Sequence, residues 1–341
     1  MQSVNIVVTR PEYVKAAAVF DAQPDMVCTV VGPDEPEVAE AIRRTRACAA
    51  VLGVEKYTDV LYEALPRGGV ISRFGVGHDG IDKPRATRAG LFVTNTPGVL
   101  EDAVAEHALA LMLAITKCIP AFVRSSDARQ WVPLQTTELR GKTLAILGCG
   151  AIGRRVSRLA SRGFGMTVIG YDLNLDQKSE LIRQWEFADV GDDLGTAIAE
   201  ADYISLHIPS LDSTHHFVDA AFLSRLRPGA VLINTARGAV VDEVALWDAL
   251  HAGALRAAAL DVFETEPYLP RDSVYDLREL PNVLMTPHVS SGTREACARV
   301  ARASLDNIRN SRAGHFGSVS LLNRDVLREA NPPVNVENDA L

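Results

Sequence analysis

Short apolar runs without period-two alternation recur along this chain, each separated from the next by a helix-like segment. In the first half they are Val4–Val8, Met26–Val31, Ala49–Leu52, Gly69–Ser72 and Leu91–Thr94. In the second they are Thr143–Leu147, Thr167–Tyr171, Tyr203–His207, Ala230–Asn234, Arg256–Leu260 and Asn282–Met285. Apolar runs of this length suit strands buried on both faces, as in parallel sheets. Their alternation with helical segments implies βαβ units and a doubly wound α/β fold.

At 341 residues the chain exceeds one ordinary core, so two domains are expected. Pro97–Gly98 is a natural break. It is followed by Glu101 and Asp102 opening a long apolar helix, where carboxylates suit the positive helix end. Thr286-Pro287-His288 is a second break. The expected layout is therefore a Rossmann-type domain over residues 98–288, inserted into a discontinuous domain made of 1–97 and 289–341. The segment from Gly314 to Leu341, with its Pro332-Pro333 pair, is polar and reads as a surface arm or frayed tail.

Between those breaks Gly148-Cys149-Gly150-Ala151-Ile152-Gly153 directly follows the run Thr143–Leu147 and opens the helical pattern Ile152–Ser161. In such a loop Gly148 permits the tight turn, Gly150 admits a pyrophosphate, and Gly153 lets helix and strand pack closely. The helix N-terminus, from Ala151 and Ile152 onward, offers free N–H groups to the anion. Asp172 closes the next strand, 19 residues after Gly153. A carboxylate there accepts from ribose hydroxyls and repels a 2′-phosphate, so NAD is expected rather than NADP.

Composition narrows the partners. Hydrophobic residues at 47% and charged residues at 23% exclude a disordered or collagen-like chain. A net charge of −8 repels polyanions, so neither nucleic acid nor an anionic membrane is the expected partner. The apolar stretch Ala103–Ile115 carries Glu106 and His107 and is too short to span a bilayer. Five scattered cysteines without CxxC spacing argue against a disulfide or metal framework. The first ten residues lack a secretory pattern, and the cytoplasm is the expected compartment.

Three polar residues fall just past expected strand ends, where an α/β sheet places ligands. Arg237 follows Ala230–Asn234, Glu266 follows Arg256–Leu260, and His288 follows Asn282–Met285. An imidazole can accept and donate a proton near neutrality, a carboxylate on its other nitrogen orders it, and a guanidinium grips a carboxylate by a fork.

These residues lie among Gly75-Val76-Gly77-His78-Asp79-Gly80-Ile81-Asp82, Asn95-Thr96-Pro97-Gly98, Ala103-Val104-Ala105-Glu106-His107, Pro209 with Thr214, Arg237-Gly238, Glu266-Pro267 and Pro287-His288. In that order the chain, from about residue 50 to 310, resembles the D-isomer-specific 2-hydroxyacid dehydrogenase family, phosphoglycerate dehydrogenase-like members included. The resemblance implies hydride transfer between NAD(H) and a small D-2-hydroxy acid or 2-oxo acid. It implies His288 as general acid–base, Glu266 as its partner and Arg237 as the carboxylate-binding residue. It further implies a cleft between the domains and a homodimer built on the cofactor domains.

The N–H groups of Val76 and Gly77 would bind the substrate carboxylate. His207, Pro209, Thr214 and Asp261 would line the cofactor, with Asp261 against the nicotinamide amide. Arg73 either holds a substrate phosphate, as a matching arginine does in phosphoglycerate dehydrogenases, or forms a salt bridge. Gly80 departs from the family's usual asparagine, and Ser290-Ser291-Gly292 from its small-residue run. Two further readings remain open: an NAD-sensing corepressor-like module on the same fold, and a formate- or phosphite-type dehydrogenase.

Overall fold

The structure, a computed structural model, describes residues 3–330, so Pro332-Pro333 lies outside the described residues. The chain divides into two compact units, Met1–Leu100 with Gly292–Leu341, and Glu101–Ser291. The expected boundaries at 97/98 and 288/289 fall three residues before these.

The first unit holds β1 (Val4–Thr9), β2 (Met26–Val31), β3 (Ala49–Leu52), β4 (Val70–Arg73) and β5 (Phe92–Thr94). They form one parallel sheet in the order β2-β1-β3-β4-β5. β3 and β4 are buried at every position, which is why their sequences are continuous rather than alternating. The helix Arg294–Arg312 returns to this unit, capped by the Thr293 hydroxyl on the Ala296 N–H.

The polar segment after this helix is not a frayed tail over its described length. Leu321 bridges Thr94 antiparallel, and the Leu322 N–H donates to the Val93 carbonyl at 2.8 Å. Val319, Leu321 and Val326 are buried beside Phe92. The Asn323 amide donates to the Leu91 carbonyl and accepts from the Val93 N–H, both at 2.9 Å.

The second unit holds β6 (Thr143–Leu147), β7 (Thr167–Tyr171), β8 (Asp189–Gly191), β9 (Tyr203–Leu206), β10 (Val231–Asn234), β11 (Ala257–Leu260) and β12 (Val283–Met285). All are parallel, in the order β12-β11-β10-β9-β6-β7-β8. The apolar helix Glu101–Thr116 packs on this sheet, with Ala105, Ala108 and Met112 fully enclosed. Among the described residues no single helix is long and apolar enough to cross a membrane. β8 has no counterpart among the expected strands. It is a three-residue edge strand with one buried apolar residue, Val190, paired only with β7.

Candidate active site

Arg237, Glu266 and His288 all stand in the second unit, just past the C-terminal ends of three neighbouring strands, β10, β11 and β12. His288 Nδ1 lies 2.6 Å from Glu266 Oε2. An acceptor-only carboxylate on Nδ1 assigns that nitrogen the proton in the neutral ring, so that Nε2 is the nitrogen able to accept one. The imidazole side chain is 26% exposed and so can be reached. Glu266 is itself held, because its Oε1 accepts the Phe263 N–H at 3.0 Å. The His288 backbone takes a left-handed φ of 52°, a conformation that needs outside support.

Asp261 supplies that support. The His288 N–H donates to the Asp261 carbonyl at 2.8 Å. The Asp261 carboxylate accepts from the Val289 and Ser290 N–H groups at 2.9 and 2.8 Å and from the Thr286 hydroxyl at 2.5 Å. His107 Nε2 lies 3.1 Å from the same hydroxyl and 3.5 Å from Asp261 Oδ1. Burial alone would raise the Asp261 carboxyl, but the bonds from His107, Thr286 and the two amides hold it below the usual carboxylate range. Asp261, expected against a nicotinamide, is 0% exposed, and its carboxylate is held under the His288 loop.

Half-buried Arg237 begins a loop ordered by Asn234, whose amide donates to the Arg237 carbonyl at 2.9 Å and accepts from the Ala236 N–H at 3.0 Å. A Cβ on Gly238 would lie 1.8 Å from the Phe263 carbonyl carbon. Only glycine therefore lets the arginine loop rest against the loop that leads to Glu266.

The glycine fingerprint has the geometry its spacing implies. Gly148 takes φ +97°, and a Cβ there would meet the His207 carbonyl oxygen at 2.6 Å. A Cβ on Gly153 would fall 2.1 Å from the Gly148 oxygen. Gly150 caps the helix Ala151–Phe164, and a Cβ on it would meet nothing within 4 Å. Such an open cradle at a helix N-terminus fits a pyrophosphate. The Asp172 carboxylate is fixed beside it, accepting the Cys149 N–H at 2.8 Å and the Asn174 N–H at 2.9 Å. The buried Cys149 thiol, pushed up to about 12 by burial and then by Asp172, is a packing group.

His207 follows β9 with its Nε2 2.8 Å from the Ser205 hydroxyl, and burial pushes it down to about 4, leaving it neutral. Beyond it the Thr214 hydroxyl donates to the Pro209 carbonyl at 2.7 Å and accepts from the Leu211 N–H at 2.8 Å. Thr214 thus closes the turn that Pro209 opens.

In the first unit Arg73 ends β4 and is buried, its Nη1 donating to the Phe74 carbonyl and, at 3.4 Å, to the Leu52 carbonyl. Gly75 turns the chain with φ +137°, and its carbonyl accepts the Thr96 N–H at 3.0 Å. The Val76 carbonyl accepts from the Asn95 amide at 2.7 Å. With both carbonyls engaged, no hydrogen bond is made by the N–H groups of Val76 or Gly77 among the described residues. A Cβ on Gly80 would lie 2.2 Å from the Glu55 carbonyl oxygen, which explains glycine there in place of asparagine. Asn95 is oriented in turn by the Ser320 hydroxyl, 2.6 Å from its Oδ1. The roles of Ser320 and Thr286 escape the sequence, because each acts on a residue remote in the chain.

A family model described as D-isomer specific 2-hydroxyacid dehydrogenase, NAD binding domain, matches residues 109–290. A glyoxylate reductase of Thermococcus litoralis is 38% identical over 309 residues, covering 88% of this chain and 90% of that one. A D-3-phosphoglycerate dehydrogenase of Methanocaldococcus jannaschii is 36% identical over 86% of this chain, which spans 54% of that protein. The structure of an Aquifex aeolicus D-lactate dehydrogenase complexed with NAD and lactic acid superimposes with a TM-score of 0.78. It is 26% identical, and the match covers 94% of this chain and 99% of that one.

Proposed function

Since this chain belongs to the D-isomer-specific 2-hydroxyacid dehydrogenase family, we propose that Arg237, Glu266 and His288 carry its reaction. The protein is an NAD-dependent oxidoreductase interconverting 2-oxo acids and D-2-hydroxy acids. What carries the residue assignment is the 2.6 Å His288–Glu266 pair, on the same sheet edge as Arg237.

NAD would be held along Gly148, Gly150, Ala151, Ile152 and Gly153, with Asp172 on the ribose and the His207, Pro209 and Thr214 turn beside it. When bound, it supplies or takes the hydride at the substrate C2. His288 Nε2 gives its proton to the carbonyl oxygen in reduction and takes it back in oxidation. Glu266 keeps the ring oriented and in the Nδ1–H tautomer. Arg237 grips the substrate carboxylate. In the first unit the Val76 and Gly77 N–H groups offer a backbone nest suited to a carboxylate. We assign Arg73 to supporting the Gly75 turn, since its guanidinium is buried against backbone carbonyls, and so favour an unphosphorylated oxo acid.

The test is NADH oxidation with glyoxylate, hydroxypyruvate, pyruvate and phosphohydroxypyruvate, each repeated with His288→Gln. Turnover of the small oxo acids, lost in the variant, is expected. Tight NADH binding with no turnover of any oxo acid would overturn the reading in favour of a sensing module.

We also assign a homodimer, formed through the second unit, and a cytoplasmic setting. The helix Ile119–Asp127 buries none of its residues, and Val123 and Trp131 are 53% and 96% exposed. All five cysteines are free thiols, as a reducing compartment would keep them. Light scattering should give twice the chain mass, and Val123→Glu should halve it.

A further inference from the structure

The loop that carries Glu266 is clamped by a second set of titratable groups. The Glu264 N–H donates to Glu243 Oε1 at 2.7 Å, and the Glu243 N–H donates back to Glu264 Oε1 at 3.2 Å. His216 Nε2 lies 3.1 Å from the same Glu264 oxygen, and its Nδ1 lies 3.9 Å from Asp242 Oδ2. Glu243 is not needed to cap its own helix, Glu243–His251. Asp242 does that, its Oδ1 accepting the Val244 and Ala245 N–H groups at 3.0 and 3.1 Å. The Glu243 side chain turns away from the helix to hold the neighbouring loop. One residue earlier on that loop, the Phe263 N–H holds Glu266, which holds His288.

We propose that Glu243, Glu264 and His216 are positioning residues for the acid–base pair: they hold the 263–266 loop, and the Glu243 carboxylate grips it harder once charged. This rests on the assignment of His288 and Glu266 made above. The groups facing Glu243 are Asp242 on its own helix and Glu264 and Glu266 on the loop. His216 lies beyond Glu264, and Tyr268, next to the Arg278–Asp276 ion pair, also feels the Glu243 charge. Burial, then the charges of Glu264, Glu266 and Asp242, push Glu243 up to about 7, against the lowering bond from the Glu264 N–H. Its charge therefore appears near neutral pH. As pH rises through that value, the ionised carboxylate becomes a stronger acceptor for the Glu264 N–H. The loop is then held more firmly above about pH 7 than below it.

Glu243→Gln and Glu243→Ala separate the two roles. Glutamine keeps an oxygen for the Glu264 N–H and cannot ionise; alanine loses both. The measurement is kcat/KM for NADH-driven glyoxylate reduction from pH 5.5 to 9.5 in the full chain, with NADH affinity followed by fluorescence. In Glu243→Gln the rise in kcat/KM as pH passes through about 7, where Glu243 gains its charge, should be lost. Glu243→Ala should add a further fall in kcat of about tenfold, with a smaller change in KM. A Glu243→Gln profile superimposing on wild type, in a chain that His288→Gln inactivates, would overturn this proposal alone. A His288→Gln chain of wild-type rate would instead overturn the assignment beneath it.

Discussion

The two sheets end in loops that present different groups. In the second unit the loops present side chains: His288 bonds Glu266, which the Phe263 N–H steadies, over backbone braced by the Asp261 carboxylate. In the first, side chains support backbone: Asn95 holds the Val76 carbonyl, and Arg73 reaches the Phe74 and Leu52 carbonyls. A site that must move a proton needs a titratable side chain at its tip. A site that must only bind a carboxylate can present amides and hide its side chains beneath them. Damage to the first kind should therefore appear in turnover, and damage to the second in substrate affinity.

The sharpest test of that contrast is His288→Gln, expected to lower kcat by about 10²–10⁴ with NADH affinity unchanged by fluorescence titration. A comparable loss of NADH affinity would mean that the residue lines the cofactor site instead. Gly238→Ala comes next. A Cβ 1.8 Å from the Phe263 carbonyl carbon must force the two loops apart. We expect kcat/KM to fall about 100-fold, and stability by about 1–3 kcal/mol in a denaturant titration. Near-wild-type activity would show that the loops need not touch.

On the other unit, Asn95→Ala should raise the KM for the oxo acid about tenfold and change kcat by no more than about threefold. A kcat effect as large as that at Gly238 would erase the distinction between the two edges. The smallest expected effect is at His207, which burial holds down at about 4 from an ordinary 6.5. A depressed folded value contributes stability that is fully present above pH 6.5 and lost as pH falls through about 4. Wild type should thus lose more thermal stability between pH 6.5 and 4 than His207→Gln, by a few degrees in Tm. Equal losses would show that this histidine does not feel the interior.

What the sequence could reveal follows the same division. Strands buried on both faces are legible because continuous apolar runs have no other use; β8, with Val190 between Asp189 and Gly191, offers no run to read. The fingerprint glycines are legible because each answers a local demand, a turn at Gly148 and a close contact at Gly153. Asp261 looks like a site residue from its place after β11, but the bonds its carboxylate makes to the Val289 and Ser290 N–H groups, 28 and 29 positions away, leave no trace there. Ser320 and Asn95 are separated by 225 positions. No periodicity or motif records a bond of that span. The arm past residue 314 reads as loose because its polar residues outnumber Val319, Leu321 and Val326, the apolar ones it buries.

That arm carries a cost during synthesis. The β5 edge it covers, with the Val93 N–H that Asn323 accepts, is made early, and its cover emerges only after the whole second unit has been translated. On the ribosome the first hundred residues should wait with the outer edge of β5 unpaired and Phe92 uncovered, while the contiguous 101–291 unit should fold first. The nascent chain should then mature out of order, the middle first and the beginning last.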